Sequence, residues 1–361
     1  MTTLLDATLE HLRALVSFDT CNPPRAIGTD GIFEYLRAHL PGFDLTLTDH
    51  GAGAVSLLAT RGTPRLLFNV HLDTVPTAGG WSANPLELRI ATDRATGLGA
   101  CDIKGAAAAL LAAAEGASGS AAFLFSTDEE AGDARCIANF LNAAQPFEAV
   151  LVAEPTGGQA VLAHRGYSSV RVGFAGRAGH ASEGSALGAS AVHKAALWSA
   201  KALEYVASHA GHCCGNLSGL RFNIGRIEGG IKPNVIAPTA ELQFSLRPLP
   251  FMNPDELLET LRHFADPAPS AFEETFRGAP LPATVALHDA ARVLAESLSL
   301  SIGAAVDFWS EAALFSTAGY PAIVYGPGNI AQAHNADEWV ALDQLALYAE
   351  NIRGIIDHGH A

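Results

Sequence analysis

Leu66-Leu67-Phe68-Asn69-Val70-His71-Leu72-Asp73-Thr74 is the stretch from which the fold can be read. It follows the breakers Gly62 and Pro64, and a strand-length apolar run ends on a histidine and an aspartate two residues apart. Such a run reads as a strand covered on both faces. Open α/β sheets place their ligands beyond the C-terminal ends of strands. Residues i and i+2 of a strand share a face, so Asp73 is expected to accept one imidazole N–H of His71 and leave the other nitrogen for a metal. Alone, His-x-Asp more often marks a hydrogen-bonded structural pair. The rest of the chain reverses that preference.

Working outward, helices are expected over residues 4–18 and 31–40, broken by Asn22-Pro23-Pro24. Strands are expected at 44–48, 55–59 and 66–70, then a helix at 104–114, a strand at 121–126, a helix near 135–144 and a strand at 149–153. This alternation predicts an α/β fold with a mostly parallel twisted sheet and helices on both faces. From Ser168 the texture changes. Alternating segments at 169–175 and 242–246, a strand at 219–227, helices at 189–207 and 254–264 and a strand at 272–277 suit an inserted α+β domain. Beyond Pro280 come helices at 288–298 and 310–318, a strand at 322–325 and a helix at 342–356. The expected organisation is therefore a discontinuous catalytic domain, 1–167 and 280–361, with residues 168–279 inserted as a lid or dimerisation module.

Composition narrows the function. The 361 residues, 49% hydrophobic, exceed one typical core. A net charge of −15 argues against nucleic acid and anionic membrane surfaces. Met1 to Leu12 lacks the basic flank and apolar core of a signal peptide, and Gly105 to Ala114 is about half a membrane span, so a cytoplasmic protein is expected. Five cysteines without CxxC spacing argue against a disulfide framework or a zinc-thiolate site.

Carboxylates recur where strands end. Gly97-Leu98-Gly99-Ala100-Cys101-Asp102-Ile103-Lys104-Gly105 lacks the third glycine of a dinucleotide loop, Asp102 standing in its place. It reads better as a turn presenting Asp102, either as a helix cap or as a ligand. Thr127-Asp128-Glu129-Glu130 follows one strand and Glu154-Pro155-Thr156 another. An acidic loop is commonly only solvated. The alternative gives one of two adjacent carboxylates to a metal and the other to general-base work. Gln332-Ala333-His334-Asn335 follows the Gly326-Pro327-Gly328 turn. Together His71, Asp102, Glu130, Glu154 and His334 make two imidazoles and three carboxylates, a donor set suited to a co-catalytic pair of divalent ions.

These motifs, HxD, GxxDxKG, EE, EPT and AH in that order, resemble the acetylornithine deacetylase / aminoacylase family of co-catalytic zinc amidohydrolases, over essentially the whole chain. The resemblance implies a zinc-exopeptidase-like fold and two divalent ions, zinc or cobalt. It implies His71 and Glu154 on one ion, Glu130 and His334 on the other, Asp102 bridging, Glu129 as base and Asp73 behind His71. In the insert, Gly176-Arg177-Ala178-Gly179-His180-Ala181-Ser182 is similar to a lid motif whose histidine reaches the site of a partner subunit, which implies a homodimer. An exposed loop histidine is the plainer reading of the same residues. Lys232-Pro233-Asn234-Val235-Ile236 and Leu246-Arg247-Pro248 resemble segments that supply substrate contacts through Asn234 and Arg247, and Gly328 is implied as another. Arg247 would take the substrate α-carboxylate, a task suited to a planar bidentate donor; a strand arginine paired with Glu241 is the alternative.

The implied substrate is a small N-acyl amino acid. Glu154, where peptidase branches tend to carry Asp, leans toward N-deacylation. The short chain and Asp307-Phe308-Trp309 are similar to members acting on N-acetyl-L-citrulline in arginine biosynthesis. N-acetyl-L-ornithine, N-succinyl-diaminopimelate and dipeptides are the alternative substrates. A non-catalytic metal-binding sensor is the alternative from another class. Cys101 departs from the family pattern, as an oxidisable thiol near metal or as a small packed residue.

Overall fold

The computed structural model describes residues 3–132 and 134–358. The chain divides into two compact units: Met1–Leu162 with Thr284–Gly303 and Ser310–Ala361, and Ala163–Ala283 with Ala304–Trp309. The stretch 304–309, expected in the catalytic domain, thus belongs to the second unit.

The first unit is built on a six-stranded sheet, in the order Asp44–Asp49, Val55–Arg61, Ala121–Ser126, Leu66–His71, Ala149–Val152, Ala322–Val324. The last four run parallel, and the first two are joined antiparallel at one edge. Every residue of Leu66–His71 and of Ala121–Ser126 is buried, which is why their sequences run apolar without alternation. Register matters for function: His71 pairs with Ser126, and Asn69 with Val152. The residues that follow these three strands therefore emerge at one edge.

Lys104–Gly116 is buried over its first eleven residues. A helix apolar all round must be enclosed, and Leu4–Ser17 and Leu342–His358 pack upon it. Its alanines permit that approach. Leu66, Phe68 and Val70 join this core with Leu12, Leu110 and Ile352. Ala312–Thr317 packs on the Ala149–Val152 and Ala322–Val324 strands, with Phe315 edge-on to Phe140 of the Arg135–Leu141 helix.

The second unit carries a four-stranded antiparallel sheet, in the order Arg221–Gly229, Thr239–Arg247, Tyr167–Ala175, Ala271–Gly278. Burial alternates along Tyr167–Ala175 and Thr239–Arg247, as it does when one face is covered. Val170, Val172, Phe174, Leu242, Phe244 and Leu246 form a core with Trp198 and Leu261, from Ala191–Ser208 and Pro254–Arg262. Trp198 Nε1–H donates to the Leu261 carbonyl at 2.7 Å. A three-stranded sheet in the first unit, Trp339–Ala341, Arg94–Thr96, Arg89–Ile90, was not expected from sequence. Its strands are two or three residues long, too short for any periodicity to register.

Candidate metal centre

The shared register delivers His71, Glu130 and Glu154. His71 ends its strand with Nδ1–H donating to the Asp73 carbonyl at 3.0 Å. That fixes the tautomer and leaves the Nε2 lone pair facing Asp102 Oδ1, 3.3 Å away. The sequence reading expected the Asp73 carboxylate in that role. The carboxylate instead accepts the Glu130 backbone N–H at 3.0 Å and the Asn22 amide at 3.4 Å, with Oδ1 3.5 Å from His71 Nδ1. The main chain turns after His71, so its own carbonyl reaches the ring first.

Asp102 presents one oxygen to each histidine: Oδ2 lies 3.2 Å from His334 Nε2. The same nitrogen is 3.0 Å from Glu130 Oε1. Ligand atoms of His71, Asp102 and Glu154 lie within 4.8 Å of one another, and so do those of Asp102, Glu130 and His334. Two donor triads therefore share Asp102. Separations of 3.0–3.3 Å are also the spacing of two ligands on one tetrahedral ion with bonds of about 2.0–2.1 Å. Asp102 Oδ1 and Asp73 Oδ1, both buried, have no hydrogen-bond donor among the described residues. Orphaned buried carboxylate oxygens are costly unless a cation meets them, so the residues present fit divalent metal.

The electrostatics agree. Burial first, then the neighbouring Glu130, Glu154 and Glu311, holds Glu129 well above the usual carboxylate range against the pull of His71. Burial and Asp102 do the same to Glu154. Hydrogen bonds to Asp102 and Glu130 raise His334 to about 10. Without a cation, protons must offset part of the clustered negative charge.

The loops are interlocked by their sequences. Gly99 adopts φ +75°, where a side chain is strained, and its turn starts the Lys104–Gly116 helix. Thr156 Oγ1 donates to the Gly326 carbonyl at 3.2 Å and the Gly326 N–H lies 3.1 Å from Thr156 Oγ1, clasping the Glu154-Pro155-Thr156 loop to the Gly326-Pro327-Gly328 turn. Gly328, at φ +88°, leaves room for Cys101, whose Sγ would lie 2.6 Å from any added Cβ. The Gly328 N–H donates to Gln344 Oε1 at 2.7 Å, and its carbonyl accepts from Gly157. Cys101 is buried, and burial, with Glu338 and Asp102 nearby, pushes its thiol up. It packs.

Three supporting residues escaped the sequence reading. Glu338 accepts the backbone N–H groups of Gly99, Cys101 and Asp102 at 3.0, 2.8 and 2.9 Å and so holds the turn that presents Asp102. Burial raises it to about 7. The three-stranded sheet brings it there, and no local pattern marks it. Glu311, pushed up to about 8 by burial, accepts from Ser126 Oγ at 3.2 Å and, with the Asn69 amide nitrogen turned toward it, from Asn69 at 3.0 Å. Asn22 ties Asp73 to the Thr127 carbonyl, which it reaches at 3.1 Å.

The residues expected in the insert lie in the second unit. His180 is exposed and bridges to Val235, which brings it beside Asn234 in the backbone pairing. Its Nδ1 is 2.7 Å from Ser182 Oγ, and its backbone N–H donates to Glu183 at 3.2 Å. Arg247 stacks on Tyr167 at 4.5 Å and donates to the Asp307 carbonyl at 3.4 Å. No carboxylate among the described residues pairs with it. Glu241 pairs with Arg171 instead, which removes the alternative reading of Arg247.

With fold and geometry established, comparison gives the class. The model of peptidase family M20/M25/M40 matches residues 67–358, and the chain belongs to that family of hydrolytic enzymes. Among its relatives, the N-acetyl-L-citrulline deacetylase of Xanthomonas campestris pv. campestris is 62% identical over 366 residues, covering 100% of both chains. An acetylornithine deacetylase of Vibrio vulnificus is 30% identical, covering 94% of this chain and 95% of its own. The fold is that of an M20 family metallo-carboxypeptidase of Sulfolobus solfataricus, at TM-score 0.76 and 16% identity over 98% and 99% of the chains. Aminopeptidase PepT of Bacillus cereus matches at TM-score 0.72 and 20% identity, 98% of each chain covered. No helix among the described residues is long and apolar enough to cross a membrane.

Proposed function

We propose that this protein hydrolyses the amide of N-acetyl-L-citrulline to L-citrulline and acetate, a step of arginine biosynthesis in the cytoplasm. The observation that carries the reading is the pair of donor triads joined through Asp102, with Glu129 beside them. Full-length similarity to a deacetylase of that substrate supports its identity.

His71 and Glu154 would hold one divalent ion, Glu130 and His334 the other, and Asp102 would bridge them. Zinc or cobalt suits these N/O donors and, when bound, would supply charge to polarise the amide carbonyl and acidify water. Glu129 removes a proton from the attacking water as its oxygen bonds the acetyl carbon. The C–N bond then breaks, and Glu129 returns the proton to the leaving amine. Asp73 holds the Glu130 loop and, through its carbonyl, the His71 ring. Arg247, which pairs with no carboxylate among the described residues, takes the substrate α-carboxylate. Asn234 offers its exposed amide, and Gly328, its N–H already engaged, contributes space. The second unit serves as lid and dimerisation module. His180, with Nδ1 occupied and no partner for Nε2 among the described residues, stabilises the tetrahedral oxyanion in trans from a second copy of the chain.

The deciding experiment measures amine release by metal-loaded protein from N-acetyl-L-citrulline, N-acetyl-L-ornithine and N-succinyl-diaminopimelate side by side, with and without chelator. Chelator-sensitive preference for acetylcitrulline is expected. Preference for acetylornithine overturns the substrate, and no release from any of the three overturns the activity.

A further inference from the structure

A separate cluster of side chains of metal-ligating type lies in the helical layer, on residues the proposed reaction does not use. His11 belongs to Leu4–Ser17, His39 caps the C-terminus of Ile32–Ala38, and Glu115 is in the last turn of Lys104–Gly116. One ligand atom from each lies within 4.8 Å of the others.

Three observations point to a cation. First, both rings are oriented through Nδ1 by the same residue. His39 Nδ1–H donates to the Tyr35 carbonyl at 2.9 Å, and His11 Nδ1 is 2.8 Å from the Tyr35 hydroxyl. A metal-ligating histidine is ordinarily held this way by its other nitrogen, and here Nε2 of each ring is left for a ligand role. Second, His11 Nε2 lies 3.3 Å from Glu115 Oε1, the separation of two ligands on one tetrahedral ion with bonds of about 2.0–2.1 Å. Third, Glu115 stands in the last turn of a helix with no basic residue in that turn, where the dipole disfavours a carboxylate and a cation offsets it. The rings of His11 and His39 meet edge to face at 5.1 Å, and His11 is buried.

We propose that His11, His39 and Glu115 form a separate site for a borderline divalent ion of the zinc class, which clamps the three helices that carry them. Two imidazoles and a carboxylate leave one tetrahedral position open, and Glu115 is exposed, so the ion exchanges with solvent. The proposal is independent of the substrate and of how many ions the catalytic centre holds.

The test compares full-length wild type with His39→Gln and Glu115→Gln after dialysis against buffered free zinc, with bound zinc counted by elemental analysis and melting followed in parallel. Each variant is expected to bind one zinc fewer per chain than wild type, to lose part of the zinc-dependent rise in melting temperature, and to keep its hydrolytic activity. Because the readout is a difference, failure of the proposed catalytic reading does not affect it. Equal zinc content in all three proteins, with both variants folded by circular dichroism, overturns it.

Discussion

The chemistry-bearing residues of the two units are held in different ways. In the first, His71, Asp102 and Glu154 are buried; His71 and Glu154 arise where parallel strands in register end, and Asp102 comes from the turn that starts the Lys104–Gly116 helix. Backbone donors tie down the loops that carry them, through Glu338 and Asp73. In the second, His180 and Asn234 lie exposed on paired loop segments, and Arg247 is half-buried over a tyrosine ring. Buried charge is costly and is tolerated when its geometry is fixed and a counter-charge is available. The first set is therefore built in advance for a cation. The second carries little desolvation cost, and the substrate roles proposed for it need partners that only binding would bring.

Three measurements break or sharpen that contrast. The largest effect is expected for Glu129→Ala, which should lower turnover about 10²–10⁴-fold, the usual contribution of a positioned general base, with metal content unchanged. Loss of metal instead would make Glu129 a ligand. His180→Ala should lower kcat about 10²–10³-fold, as removal of one oxyanion donor does. Mixing it with Glu129→Ala should restore activity, since one hybrid site regains both residues; mixed dimers that form and stay inactive exclude action in trans. The smallest effect is expected for Glu338→Gln, which should weaken metal binding about 10–100-fold, as loss of a ligand-orienting partner does, while excess metal restores kcat. Unchanged metal affinity in a titration would show that the Asp102 turn holds itself.

Much of the first unit was legible from local pattern. A fully apolar strand ending in His-x-Asp, an alanine-rich helix behind an Asp102 turn, and carboxylates after two further strands each have a short-range signal. Glu338 and Glu311 had none. Glu338 acts across more than two hundred residues through strands of two or three residues, and Glu311 is recognisable only once Ser126 and Asn69 surround it. The helical His11–His39–Glu115 cluster was invisible for the same reason: three separate helices supply it.

By itself the sequence determined where the longer strands and helices run, which residue types stand at strand ends, and the family to which their order belongs, because periodicity and motif spacing are local properties of the chain. Only the tertiary structure decided that the Asp73 carbonyl orients His71, that Asp102 faces both histidines, that Arg247 pairs with no carboxylate among the described residues, and that Cys101 is buried. Hydrogen-bond partners and burial depend on which distant segments meet, and sheet register and packing decide that.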